Sequence, residues 1–325
     1  MVDDVQYAAR GRRAILLMAY GGPQRMEDVE PFLLDIRGGR PTPPTLVEEI
    51  RRRYALIGGW SPLVDITRQQ AAALEAYLRQ TSDLICRVYV GMRYWRPGIR
   101  EAVAAMMEDG VKQVVALVMS PYYSSMSVGA AFEQLDRALR ELGANIVISR
   151  VESWHNHPDL IAGLAEKTII ALENLIRQEI SSAALMATRF QGKVIFTAHS
   201  LPVRILEQGD PYDAQVRETA ALVADHLGLA ADQSIVCYQS AGRSPEPWLG
   251  PNLEDVILEL AQAGEKGVLV APIGFLTDNL ELLYDIDIGC RDLARACGVW
   301  LVRSSSLNTS PKLIAALADL ASANG

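Results

Sequence analysis

Short apolar runs rich in β-branched residues alternate along the chain with longer stretches whose apolar residues recur at helical spacing. A run of four to eight apolar residues between turn formers reads as a strand buried on both faces. Such strands alternating with amphipathic helices indicate parallel α/β sheets. The pattern predicts strands near 14–19, 86–91, 113–119 and 145–151, then a second set near 193–198, 234–238, 267–271 and 298–302. Helices fill the intervals. Thr45 and Glu48 have capping-box spacing ahead of Leu46, Ile50 and Tyr54, which share one helical face. Asp210 and Pro211 read as N-cap and first-turn proline of a helix running towards His226.

The two sets repeat each other. The first strand of each ends alike, in Ala19-Tyr20-Gly21-Gly22-Pro23 and Ala198-His199-Ser200-Leu201-Pro202, and the third of each runs into proline, at Pro121 and Pro272. Two similar lobes follow, 1–152 and 153–309, with a hinge within 151–190 and a final helix in 310–325 packing back on the first lobe. Ligands of open parallel sheets bind beyond the carboxyl ends of the strands. The unusual residues gather there: Tyr20, Arg93 to Trp95, Tyr122, Tyr123, His199, Gln239, Ser240 and the stretch Asp278 to Asp287. If the lobes face each other, these sets line one cleft of aromatic and acidic character.

Charge and composition narrow the chemistry. The 325 residues carry a net charge of -8 and no basic run beyond Arg51-Arg52-Arg53, which argues against a nucleic-acid partner. The longest apolar runs, such as Ala14 to Ala19, fall well short of the ~20 residues that span a bilayer, and no secretory leader is evident. Four scattered cysteines without a C-x-x-C pair fit a reducing cytoplasm. Neither a glycine-rich dinucleotide or phosphate loop nor a G-x-S-x-G elbow is present.

Of four histidines, His155 and His157 sit in a polar loop and His226 on a helix, whereas His199 directly follows a buried strand. An imidazole there is either a hydrogen-bonded strand end or a base and metal ligand. Asp278, Glu281 and Asp285 are spaced three and four apart, so a helix puts them on one face. Like charges at that spacing repel by a few tenths of a kcal/mol, roughly, unless a cation or protons intervene. Capping would account for Asp278 and Glu281 but not for Asp285. One histidine with carboxylates suits a labile divalent ion better than a closed zinc site, and Cys290 and Cys297 read as helix-packing thiols.

These phrases together resemble one family. LLMAYGGP (16–23), DIRGGR (35–40), RRYALIGGWSPL (52–63), GMRYWRPGI (91–99), SPYYSSMSVG (120–129), FTAHSLP (196–202), GDPYDAQV (209–216), CYQSAGRSPEPWLGP (237–251) and PIGFLTDNLELLYDIDIGC (272–290) are similar to ferrochelatases, in family order and over nearly the whole chain. The resemblance implies a chelatase-like α/β fold of two Rossmann-like lobes, each a four-stranded parallel sheet flanked by helices, with a porphyrin cleft between them. It implies a metal-inserting lyase of haem biosynthesis, with Fe²⁺ as substrate, haem as product and no permanently bound cofactor.

Tyrosine at position 20 resembles the coproporphyrin III enzymes of Gram-positive bacteria, and implies Tyr20 as axial ligand to the product iron. By the same resemblance Ile36, Arg37, Arg53, Tyr54 and Ser61 hold the tetrapyrrole. His199 and Glu281 bind iron and handle pyrrole protons, with Asp278 and Asp285 as a relay behind them. An iron donor and a haem acceptor are the protein partners such an enzyme implies. The chain departs from its relatives at Gly289, where the acidic stripe often continues, so the likeness gives no support there for a second metal site or entry path. It departs again at Ala131, before Phe132, where a tyrosine is usual. The cysteine cluster that holds an iron–sulfur centre in some relatives has no counterpart, and none is expected. Other readings are a protoporphyrin IX ferrochelatase, a cobalt or nickel chelatase of sirohydrochlorin, which PWLGP and IGGWSPL disfavour, and a non-catalytic haem- or porphyrin-binding protein.

Overall fold

A computed structural model describes residues 13–81, 87–179 and 192–324. It divides into two compact units, one comprising Met1–Trp154 with Asn308–Gly325 and the other His155–Leu307. The first unit contains strands β1 (Arg13–Ala19), β2 (Arg87–Met92), β3 (Gln113–Val118) and β4 (Val147–Val151), and the second β5 (Lys193–His199), β6 (Ser234–Gln239), β7 (Gly267–Ala271) and β8 (Trp300–Arg303). Each unit has one four-stranded sheet, in the orders β2-β1-β3-β4 and β6-β5-β7-β8, with every pairing parallel. Cys86, at the expected start of β2, lies outside the described residues, as do 180–190 of the stretch expected to hold a hinge.

Burial explains the apolar runs. The central strands are covered on both faces, so all five residues of β7 and six of the seven in β1 are buried, while the edge strand β4 buries only Val151. In the first unit Leu16, Met18, Val114 and Ala116 pack with Val103 and Met106 of the helix Ile99–Glu108 and Leu135 of the helix Ala130–Leu142. In the second, Ile195, Val268 and Val270 pack with Val256 and Ile257 of the helix Leu253–Gln262. Each fully buried aliphatic side chain contributes about 1.5–3 kcal/mol. The helix Pro311–Ala323 closes the first unit by packing on the helix Leu63–Thr81, where Gln70 Nε2 donates to the Asn308 carbonyl at 2.7 Å.

Two helix starts differ from the sequence reading. The helix Pro44–Leu56 begins one residue before Thr45, with Pro43 as N-cap and no side-chain cap, so the capping box does not form. Proline wins because its fixed φ and missing N–H suit the first helical position. The helix Tyr212–Leu227 begins after Pro211, and Asp210 Oδ1 accepts from the Tyr212 amide at 3.1 Å, so the acid caps as expected but the proline is N-cap.

Both sheets share one consequence. The chain leaves the first strand of each for an outer neighbour, then crosses back to the third strand on the other side. The carboxyl ends of β1 with β3, and of β5 with β7, are therefore switch points, the places where ligands bind in open parallel sheets. Each third strand leads through a loop into a π-helix, Ser125–Gly129 in the first unit and Glu281–Cys290 in the second. Such i→i+5 segments are rare and concentrate at functional sites.

Candidate active site

In the second unit β5 delivers His199 at its last position, in register with Gln239 of β6. The loop after β7 returns across this end. Gly274 makes the return possible: a Cβ there would lie 2.6 Å from the Ala198 Cβ, and its amide donates to the Thr197 carbonyl at 3.2 Å. The π-helix then anchors itself through buried Leu282, Ile286 and Cys290. Its first residue, Glu281, reaches His199: Nδ1 and Oε2 lie 2.9 Å apart although 82 residues separate them in sequence. The two side chains retain 38% and 36% of their exposure, so a solute can reach both. The strand end itself is held by buried Tyr212, whose hydroxyl donates to the His199 carbonyl at 2.8 Å.

Burial alone would favour neutral imidazole. The charge and hydrogen bond of Glu281, with the charge of Asp285 behind them, outweigh it and raise the His199 pKa above its ordinary value. The folded protein therefore holds this proton more tightly than the unfolded chain does. The resulting stabilisation is complete below the ordinary histidine pKa and is lost as pH rises through the raised one.

The three acids expected on one face go to three partners. Asp278 precedes the π-helix and accepts from Arg303 Nη1 at 3.3 Å and Ser306 Oγ at 2.9 Å. Arg303, at the end of β8 and 9% exposed, also grips Asp287 through Nε at 2.9 Å and Nη2 at 2.7 Å. Asp285 instead accepts from Ser240 Oγ at 2.7 Å. The expected stripe of Asp278, Glu281 and Asp285 thus meets three different partners, with a largely buried guanidinium on Asp278. The capping role considered for Asp278 falls to Asn279, whose Oδ1 accepts from the Leu282 amide at 3.2 Å. Among the described residues no three His, Cys, Asp or Glu gather as a metal cluster.

The first unit offers different chemistry at its matching position. Tyr20 follows β1 and leaves 48% of itself exposed, with Tyr94 at 4.9 Å and Phe32 at 6.5 Å between ring centroids. Gly21 turns the chain there at φ +101, where a Cβ would meet the Trp95 Cβ at 2.9 Å. Arg93 stacks over the Tyr94 ring at 4.7 Å and donates to the Met126 carbonyl at 2.7 Å, leaving a buried Nε without a partner.

Ile36 ends the helix Val29–Ile36, and Arg37 beside it contacts only the Arg40 carbonyl through Nε, with no carboxylate partner among the described residues. Arg53 pairs with Glu49 at 2.8 Å. Tyr54 and Ser61, expected as contacts, keep only 4% and 2% exposure, which makes them framework more than open surface. Ala131 and Phe132 are core residues.

The sequence reading missed Arg303, Ser306 and Tyr212. A lone cation ending the eighth strand, opposite an acid-rich segment, was the available signal for Arg303.

The Ferrochelatase family profile matches residues 12–324. The chain belongs to the ferrochelatase family. A ferrochelatase of Deinococcus radiodurans is 42% identical over 306 residues, covering 94% of each chain. A coproporphyrin III ferrochelatase of Geobacillus kaustophilus is 37% identical over 308 residues, again covering 94% of each. In fold, the chain is similar to a sirohydrochlorin chelatase, SirB, from Bacillus subtilis subspecies spizizenii, with TM-score 0.53 and 13% identity over 96% of this chain and 95% of that one. As a ferrochelatase family member the chain is a lyase of haem biosynthesis that inserts iron into a porphyrin. No helix among its described residues is long and apolar enough to cross a membrane.

Proposed function

We propose that the porphyrin is coproporphyrin III and that the His199–Glu281 pair handles both the incoming Fe²⁺ and the departing pyrrole protons. The 2.9 Å contact between Nδ1 and Oε2 carries the reading of the pair, and the likeness to the coproporphyrin III ferrochelatase of Geobacillus kaustophilus supports the substrate. Insertion exchanges one Fe²⁺ for two N–H protons, so the site needs donors that bind a cation and bases that take protons. A neutral imidazole and a carboxylate do both. Their close contact makes them titrate as a coupled pair, and the two protons belong to the pair. Asp285 adds negative charge behind it; Asp278 serves to hold Arg303.

In the first unit Tyr20 becomes the axial oxygen ligand of the product iron, a role its exposed ring supports. Iron coordination favours the phenolate over the phenol, whose ordinary pKa is ~10. Arg37, without a carboxylate of its own, and Arg53 pair with propionates, for which a guanidinium fork is suited. Ile36 supplies apolar contact, while Tyr54 and Ser61 shape the floor beneath. Binding at these remote groups supplies the strain, typically ~1–5 kcal/mol, that bends the macrocycle and exposes its nitrogen lone pairs.

The reaction needs no permanently bound cofactor. Cys237 and Cys290 are buried, and burial pushes the Cys237 thiol up to about 12 and the Cys290 thiol higher still, which suits packing rather than cluster ligation. The enzyme works in the cytoplasm, receives iron from a donor and passes haem to an acceptor protein.

An anaerobic assay with Fe²⁺, comparing coproporphyrin III with protoporphyrin IX by loss of the free-base absorption bands, tests the substrate. Faster conversion of coproporphyrin III is expected; preference for protoporphyrin IX would overturn the assignment.

A further inference from the structure

We propose that Ser240 is a positioning residue for metal insertion, holding the Asp285 carboxylate in place beside the His199–Glu281 pair; this rests on the reading of that pair as the reacting centre. Ser240 follows β6 directly, one residue after Gln239, which is in register with His199. Its backbone is in the left-handed region, at φ 56, a conformation that the described non-glycine residues otherwise adopt only at Asn308. Asparagine visits that region readily and glycine adopts it freely, whereas serine is disfavoured there. A turn alone would select glycine or asparagine. Serine at a strained position implies that its hydroxyl does something the backbone does not need.

The hydroxyl has one visible task. Ser240 Oγ donates to Asp285 Oδ2 at 2.7 Å across 45 residues of sequence. Asp285 lies four residues beyond Glu281 on the same π-helix, near enough for its charge to act on His199. A hydrogen bond to one carboxylate oxygen favours the charged form and fixes its rotamer. The negative charge then stands at a set place behind the donor pair, where it attracts a divalent cation and an outgoing proton alike. Outer partners that orient a site in this way typically change metal affinity or activity by roughly 10–100-fold when removed.

Glycine separates the two roles, because Ser240→Gly relaxes the backbone and deletes the hydroxyl together. With the wild-type chain active in the same assay, Ser240→Gly is expected to keep or raise the Tm and leave KM for porphyrin unchanged. Its kcat/KM for Fe²⁺ should fall about tenfold. Ser240→Asn, which tolerates the backbone and restores an N–H donor, should recover much of the loss. In an Asp285→Asn background, Ser240→Gly should add nothing further. Wild-type kcat/KM in Ser240→Gly, or an undiminished loss when Asp285 is already replaced, would overturn the proposal. A wild-type chain that metallates no porphyrin would instead remove the reading on which it rests.

Discussion

The two units share a strand order and differ in what they place at its switch point. After β1 the first unit presents a half-exposed tyrosine among aromatic rings, with Arg93 stacked beside it. After β5 the second presents an imidazole against a carboxylate, with a further acid held by a serine. Each has a π-helix after its third strand, but the one in the first unit contains no acid, whereas the one in the second begins with Glu281. Topology thus fixes where a ligand can sit, and the residues at the strand ends decide which ligand. A flat macrocycle with carboxylate arms matches rings and guanidinium groups. A divalent cation and leaving protons match nitrogen and oxygen donors.

Breaking the second unit's pair should have the larger effect. Glu281→Gln removes a group that bases and metal binding both need, and insertion should fall by roughly 100- to 10,000-fold in steady-state assays. The same change takes away the charge that raises the His199 pKa. An NMR titration of the His199 ring should then find its pKa lowered, so that the imidazole loses its proton at more acidic pH than in the wild type. An unchanged midpoint would mean that Glu281 does not govern the histidine.

Arg37→Ala tests the first unit. Losing one charge-assisted hydrogen bond costs about 1.5–3 kcal/mol, so KM for coproporphyrin III should rise about tenfold or more while kcat stays near wild type. A fall in kcat at constant KM would move Arg37 out of the binding role. The smallest effect is expected from Asp278→Asn. Arg303 keeps Asp287 as a bidentate partner, so the cost should be about 1 kcal/mol of stability, seen in thermal unfolding. Activity should change by less than about threefold, because Asp278 accepts from Arg303 and Ser306. A large loss of activity would restore Asp278 to the chemistry.

Much of this was legible from the chain. Strands buried on both faces leave nearly unbroken apolar runs, and the rule that ligands gather at carboxyl ends points to Tyr20 and His199 among the residues there. What stayed hidden was long-range. A π-helix has no local signature: Glu-Leu-Leu-Tyr-Asp-Ile-Asp reads as an ordinary amphipathic helix, with Leu282 and Ile286 buried in either case. Arg303, which bonds Asp278, lies 25 residues away on β8, which no spacing argument reaches. At Pro44 and Thr45 two start signals competed within two residues, and pattern alone could not rank them.

The most direct test of the account is His199→Ala, assayed anaerobically for Fe²⁺ insertion and, in parallel, for porphyrin binding by fluorescence quenching. The division of labour between the units predicts that insertion is abolished while the macrocycle still binds with near wild-type affinity. Turnover retained in His199→Ala would contradict it, because the metal and the protons would then have to be handled elsewhere.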